Sequence, residues 1–219
     1  MSKNTLYHFG DSFTIALGSD GSFGKIIADY YELEYFHLGN GGDSNDQILE
    51  KIMKEQYPIK KGDVVLINFS FLSRFLTVDE NGNLVSSARY FDDSNKGFTG
   101  DQREYFNNDD TVLDYFLNNN YEYNIRLFSL INTFLSILVE RGITVYSVMI
   151  RKEDLYKGKK IYKIEDYDLK LFNELIFEPT YFDWLVNKGW KNVEEGHYTK
   201  GIQEELAQEY IKRINDLKK

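Results

Sequence analysis

Short apolar runs alternate along the first half of the chain with stretches whose apolar positions recur at helical spacing. Leu6 to Phe9 predicts a strand, followed beyond a Gly/Ser-rich loop by a helix from Phe23 to about Tyr31. Tyr35 to Leu38 predicts a second strand, which runs into Gly39-Asn-Gly-Gly42. Ser44 is placed to cap a helix from Asp46 to Glu55, whose Ile48, Leu49, Ile52 and Met53 share one face. Lys61-Gly62-Asp63 reads as a turn and Val64 to Ile67 as a β-branched buried strand. Strand and helix alternating at this spacing imply a parallel sheet with right-handed crossovers.

The rhythm breaks between residues 75 and 120. Phe75 to Val78 and Leu84 to Ser87 flank Asp79-Glu-Asn-Gly-Asn83 and predict a hairpin, followed by an Asn- and Asp-rich stretch. The whole segment is expected to be a hairpin and loop insertion over one end of the sheet. A long helix is predicted from about Asn124 to Arg141, closed by Gly142. Ile143 to Met149 reads as a further strand, Leu175 to Phe177 as a short one, and Lys200 to Leu217 as the last helix. With no internal repeat and no linker, residues 1 to 219 are expected to form a single domain.

Composition narrows the function classes. Hydrophobic residues make up 42% and charged residues 28%, which places the chain among globular proteins. A formal net charge of -9 argues against nucleic acid as a partner, because phosphate binding needs a basic face. The short Lys157-Gly-Lys-Lys160 and Lys218-Lys219 patches read as solvated loop and tail. The absence of cysteine removes disulfides, thiolate metal sites and thiol catalysis. The first residues lack a signal-peptide core, and the apolar stretch Leu127 to Val139 is too short and too interrupted to cross a bilayer. A soluble, cytoplasmic protein without membrane association is the expectation.

The chemistry concentrates at predicted strand ends. Gly10-Asp11-Ser12 follows the first strand, and a serine held in such a turn is placed to act as a nucleophile. Alone, the tripeptide is equally a strand-ending turn in which Asp11 or Ser12 caps the next element. The second strand leads to Gly39, Gly42, Ser44, Asn45 and Asp46, and the third to Asn68-Phe69-Ser70. Glu194-Glu-Gly-His197 precedes the last helix. In a parallel α/β sheet the carboxyl ends of the strands share one crevice, so these segments are expected to meet in space.

These blocks, from Phe9-Gly-Asp-Ser-Phe13 to Glu194-Glu-Gly-His-Tyr-Thr-Lys-Gly201, resemble the SGNH (GDSL-like) hydrolase superfamily in order across nearly the whole chain. The resemblance implies a three-layer α/β/α sandwich around a mostly parallel, flavodoxin-like sheet. It implies a Ser-His-acid triad of Ser12, His197 and Glu194, with Glu195 as the alternative acid. The oxyanion hole would be the N–H groups of Ser12 and Gly42 with Ser70, supported by Asp11, Asn45 and Asn68. Two blocks depart from the family pattern. Ser70 stands where the family has an Asn donor, with Asn68 nearby as a substitute, and Glu194 stands where it has Asp. Losing an oxyanion donor costs about 2.7–4 kcal/mol of transition-state stabilisation.

The implied activity is hydrolysis of an ester, with an O-acetyl or short acyl group on a carbohydrate as the preferred substrate and no cofactor or metal. Abundant Tyr and Phe would suit stacking on sugars. An acyltransferase is a neighbouring possibility. An inactive binding or structural module, self-associating or attached to a phage or virus particle, is the reading from a different class. Arg74 reads either as a contact for an anionic substrate group or as a structural ion pair. His8 and His37 read as packed or hydrogen-bonded sheet residues, and three histidines without ligand spacing make no zinc site. Asp79 to Asn83 lacks the Gly position and closing Glu of a calcium loop. Gly18 to Lys25 has the wrong glycine spacing for a phosphate loop.

Overall fold

The computed structural model describes residues 3–14, 22–54, 58–70, 76–78, 84–86, 110–150, 153–156, 159–163, 176–177, 180–189 and 200–219. Its centre is a sheet of five parallel strands, β1 (Thr5–Phe9), β2 (Glu34–His37), β3 (Val64–Phe69), β6 (Thr144–Met149) and β9 (Ile176–Phe177). They lie in the order β2-β1-β3-β6-β9, the flavodoxin-like arrangement. Two antiparallel hairpins stand apart from it, β4 (Leu76–Val78) with β5 (Leu84–Ser86) and β7 (Glu153–Tyr156) with β8 (Lys159–Lys163).

Helices cover both faces, because the strands are apolar on both sides. Tyr7, Phe9, Val65, Ile67, Val145 and Met149 pack against α2 (Asn45–Met53) and α3 (Asp110–Glu140). Leu6, Leu66, Val148 and Ile150 pack against α1 (Phe23–Tyr30), α4 (Tyr181–Asn187) and α5 (Lys200–Leu217). The molecule is thus an α/β/α sandwich. The crossover through α1 and the crossover through α2 lie on opposite faces, so the chain changes direction between β1 and β3. Such a reversal opens a crevice at the carboxyl ends of the two strands.

The first-half elements match the expected ones closely. Ser44 caps α2 in a reciprocal box, its side chain accepting from the backbone at Gln47 while the Gln47 side chain accepts from the Ser44 N–H at 3.0 Å. Gly142 follows α3 with a positive φ of 78°, and Ile143 N–H closes the helix on the Leu138 carbonyl at 3.1 Å. The predicted first hairpin is present as β4 and β5. One boundary is corrected: α3 begins at Asp110, well before Asn124. The intervening Asn-rich run reads as loop by composition. Each Asn costs only about 0.7 kcal/mol in a helix, and a long helix propagates through it. Lys159 and Lys160 lie in β8 and are not part of a loop.

Candidate active site

Gly10 ends β1 inside the protein, and the chain then tightens into a single 3-10 turn, Ser12–Thr14. Asp11 organises this turn from a fully buried position. Its Oδ1 accepts the Phe13 N–H at 3.0 Å, as in an Asx turn, and its carbonyl accepts both the Thr14 N–H at 3.0 Å and the Thr14 hydroxyl at 2.7 Å. Ser12 is left half-buried just past the carboxyl end of β1.

Three further segments close on this turn. From the end of β3, the Ser70 hydroxyl donates to Asp11 Oδ2 at 2.9 Å. The Ser70 backbone is clamped by Asn45, whose Oδ1 accepts the Ser70 N–H at 2.8 Å and whose Nδ2 donates to the Ser70 carbonyl at 3.3 Å. From the end of β2, His37 Nε2 lies 3.0 Å from Thr14 Oγ1. The loop after His37 passes directly beside the serine. A Cβ built on Gly41 would stand 4.0 Å from the Ser12 Cβ. One built on Gly39 would fall 2.2 Å from Thr14 Oγ1 and 2.9 Å from the Gly10 carbonyl oxygen, so this close approach requires glycine.

Gly42 completes the loop with φ 82°, in the left-handed region that glycine enters at little cost. Asp43 holds the loop's far side. It accepts the Asn40 N–H at 3.0 Å and forms a largely buried ion pair with Lys51 of α2. Asp46, also in α2, accepts a hydrogen bond from Tyr123 of α3, while burial pushes its carboxyl above the usual range.

Two histidines lie behind the turn. His8 is fully buried, with Nδ1 3.0 Å from the Tyr35 hydroxyl, which in turn meets Ser22 Oγ at 2.8 Å. Burial, and secondarily His37, hold its pKa well below the ordinary histidine value. Burial also lowers His37; Lys51 adds to the effect and Asp43 opposes it. Both are hydrogen-bonded sheet residues, as their sequence positions suggest.

The structure therefore brings together Asp11, Ser12, Asn45 and Ser70, with Gly39 and Gly41 of the neighbouring loop against the turn; Gly42 lies in that same loop. Asn68 is buried behind them, its Cβ 2.9 Å from where a Gly10 Cβ would be, and its amide has no hydrogen-bond partner among the described residues. His197, Glu194, Glu195 and Arg74 lie outside the described residues, as do the Asp79 to Asn83 turn and most of the insertion. Thr14 and the role of His37 in the turn were not legible beforehand. Their contact depends on the β1–β2 register, which pairs His8 with His37. Among the described residues no group of three or more His, Asp or Glu side chains is placed to hold a metal ion, and no helix is long and apolar enough to cross a membrane.

No protein-family model matches the chain, and no curated protein matches it. Solved structures do. A carbohydrate esterase, whose active site is described as having divergent catalytic and non-catalytic binding functions, superposes with a TM-score of 0.50 at 12% identity, over 98% of this chain and 69% of its own. A Bacillus subtilis protein matches at TM-score 0.41 and 14% identity, over 81% of this chain. An acetyl xylan esterase from the rumen bacterium Butyrivibrio proteoclasticus matches at 0.30 and 10%, over 88% of this chain. The chain spans 44% of the Bacillus subtilis protein and 66% of the acetyl xylan esterase. At these identities the likeness is one of fold: the chain has the α/β fold of a carbohydrate esterase.

Proposed function

We propose that the chain is a serine esterase of the SGNH type, acting on an O-acetyl or other short acyl ester of a carbohydrate. The observation that carries this reading is the half-buried Ser12 at the β1–β3 switch point, held in a rigid turn and flanked by the Gly39–Gly42 loop. Ser12 Oγ attacks the ester carbonyl while His197 takes its proton, with Glu194 or Glu195 orienting the imidazole. The tetrahedral oxyanion is met by the N–H groups of Ser12 and Gly42. His197 then protonates the departing sugar hydroxyl, and water releases the acid from the acyl-enzyme. The carbohydrate preference draws on the fold shared with a carbohydrate esterase.

The test is turnover of p-nitrophenyl acetate and of an acetylated xylo-oligosaccharide, together with fluorophosphonate labelling. Wild type should turn over and be labelled at Ser12, and Ser12→Ala should lose both. A wild-type protein that neither hydrolyses nor labels removes the esterase reading.

One observation favours a second reading, a carbohydrate-binding module on an esterase scaffold. The Ser70 hydroxyl gives its proton to Asp11, so the third oxyanion donor of the family pattern is engaged elsewhere. The carbohydrate esterase of the same fold is described as having non-catalytic binding functions of its own. Retention of an oligosaccharide by Ser12→Ala and wild type alike, without acetate release, would select this alternative.

A further inference from the structure

The backbone carbonyl of Asp11 and the backbone N–H of Ser12 belong to one peptide unit. That unit is planar and trans, so whatever aims the carbonyl aims the N–H in the opposite direction. The Asp11 carbonyl is bound twice, by the N–H and by the hydroxyl of Thr14, at 3.0 Å and 2.7 Å. A hydroxyl has a single proton, and Thr14 gives it to Asp11. At the 3.0 Å contact with His37, Thr14 Oγ1 can therefore only accept, and His37 Nε2 must carry the proton.

We infer that His37 is a positioning residue which, through Thr14, orients the Ser12 N–H. The relay runs from His37 Nε2–H to the Thr14 hydroxyl to the Asp11 carbonyl. This deepens the esterase reading above and rests on it for its catalytic meaning, because the Ser12 N–H is the oxyanion donor there.

Three features support the relay. Thr14 is fully buried, so water does not compete for its hydroxyl. Gly39 leaves room for the contact, since a Cβ there would lie 2.2 Å from Thr14 Oγ1 and 2.9 Å from His37 Nε2. Consecutive hydrogen bonds also polarise one another, which makes the peptide N–H at the far end a stronger donor. Burial lowers the His37 pKa and so favours the neutral ring, and the Thr14 contact selects its Nε2–H tautomer. Among the described residues, Lys51 and Asp43 across the loop, and His8 and Tyr35 beside the ring, are the titratable groups that face it.

The experiment compares wild type with Thr14→Val, His37→Phe and His37→Gln. Removing an oxyanion donor outright costs about 100- to 1000-fold in kcat, so a donor left in place but poorly aimed should cost on the order of 10-fold. Thr14→Val and His37→Phe should show that loss in kcat with KM changed less than about two-fold, the pattern of an interaction made in the transition state. His37→Gln, which returns an N–H donor at similar reach, should recover most of it.

Full kcat in Thr14→Val and His37→Phe, with Ser12 still labelled by fluorophosphonate, overturns the relay and leaves the esterase standing. A second readout does not depend on catalysis. Nitrogen NMR of the His37 ring should show Nε2 protonated, and the Ser12 amide proton should shift in both His37→Phe and Thr14→Val. If wild type proves inert, that readout alone decides: an Nδ1-protonated ring or an unmoved Ser12 amide overturns the relay. Should Thr14→Val fail to fold, the two His37 variants, at a half-buried site, carry the comparison.

Discussion

Ser70 donates its hydroxyl proton to Asp11 Oδ2 across 2.9 Å, bridging two residues 59 positions apart in sequence. The bond ties the end of β3 to the turn that carries Ser12, and both partners are buried. Ser70 thus serves as a brace for the turn that carries Ser12.

The brace should be measurable as a coupling. Ser70→Ala removes a buried donor to a carboxylate and should cost about 1–3 kcal/mol in urea unfolding. Asp11→Ala should cost more, since it also strips the Phe13 N–H of its acceptor. The double variant should show a coupling of about 0.5–3 kcal/mol, and strict additivity would refute the brace.

Gly39 and Gly41 should behave oppositely. Gly39→Ala places a methyl group 2.9 Å from the Gly10 carbonyl oxygen, a backbone atom, and should destabilise by about 1–3 kcal/mol through overpacking. Among the described residues, Gly41→Ala meets nothing closer than the Ser12 Cβ at 4.0 Å, and it should leave the melting temperature unchanged. If Ser12 is the nucleophile proposed above, the effect should appear instead as slower fluorophosphonate labelling, because the methyl group crowds Ser12.

Stability should fall with acid through the histidines. Burial lowers the pKa of His8 well below 6.5, so folding keeps it neutral while the unfolded chain protonates near 6.5. The unfolded state binds the extra proton in that window. Stability is therefore fully present above about pH 6.5 and is lost as pH falls below it, by up to about 1.4 kcal/mol per pH unit per histidine. His37 adds to the same slope, with Lys51 reinforcing it and Asp43 opposing it. Urea midpoints taken from pH 7.5 to 5 should show the decline, and His8→Phe should flatten it.

Gln203 of α5 is fully buried and caps α1 from a distance, its Oε1 accepting the Phe23 N–H at 3.0 Å. That N–H is one of the unpaired donors at a helix start. Gln203→Leu keeps the volume and removes the acceptor, so it should cost about 1–3 kcal/mol in thermal or urea unfolding. A neutral result would mean that another group reaches Phe23.

The sheet was legible because its strands are short β-branched or aromatic runs bounded by glycine turns, as in Val64-Val-Leu-Ile67 after Gly62. Helix α3 was read too short because Asn118-Asn-Asn120 resembles a loop locally, whereas helix continuation is cooperative. Helix α4 was missed although it carries a start signal, since Thr180 Oγ1 accepts the Asp183 N–H at 3.2 Å in a Thr-x-x-Asp pattern. At the site, the strand-end segments around Ser12, Gly42 and Ser70 were readable as blocks. The bonds between them were not. Thr14 meets His37 only through the lateral pairing of β1 with β2, and no local motif records that pairing.

The interior place of β1 in the sheet has a consequence for the growing polypeptide. β1 has β2 on one edge and β3 on the other, and both are made after it. Until residue 69 has been added, at least one edge of β1 can pair with a stranger. The serine turn is in the same position, for its brace at Ser70 arrives only after β3, and the Gln203 cap on α1 arrives only with α5. A nascent chain halted before β3 would present a bare strand and an unassembled turn, a form that chaperones or proteases would meet before any substrate could.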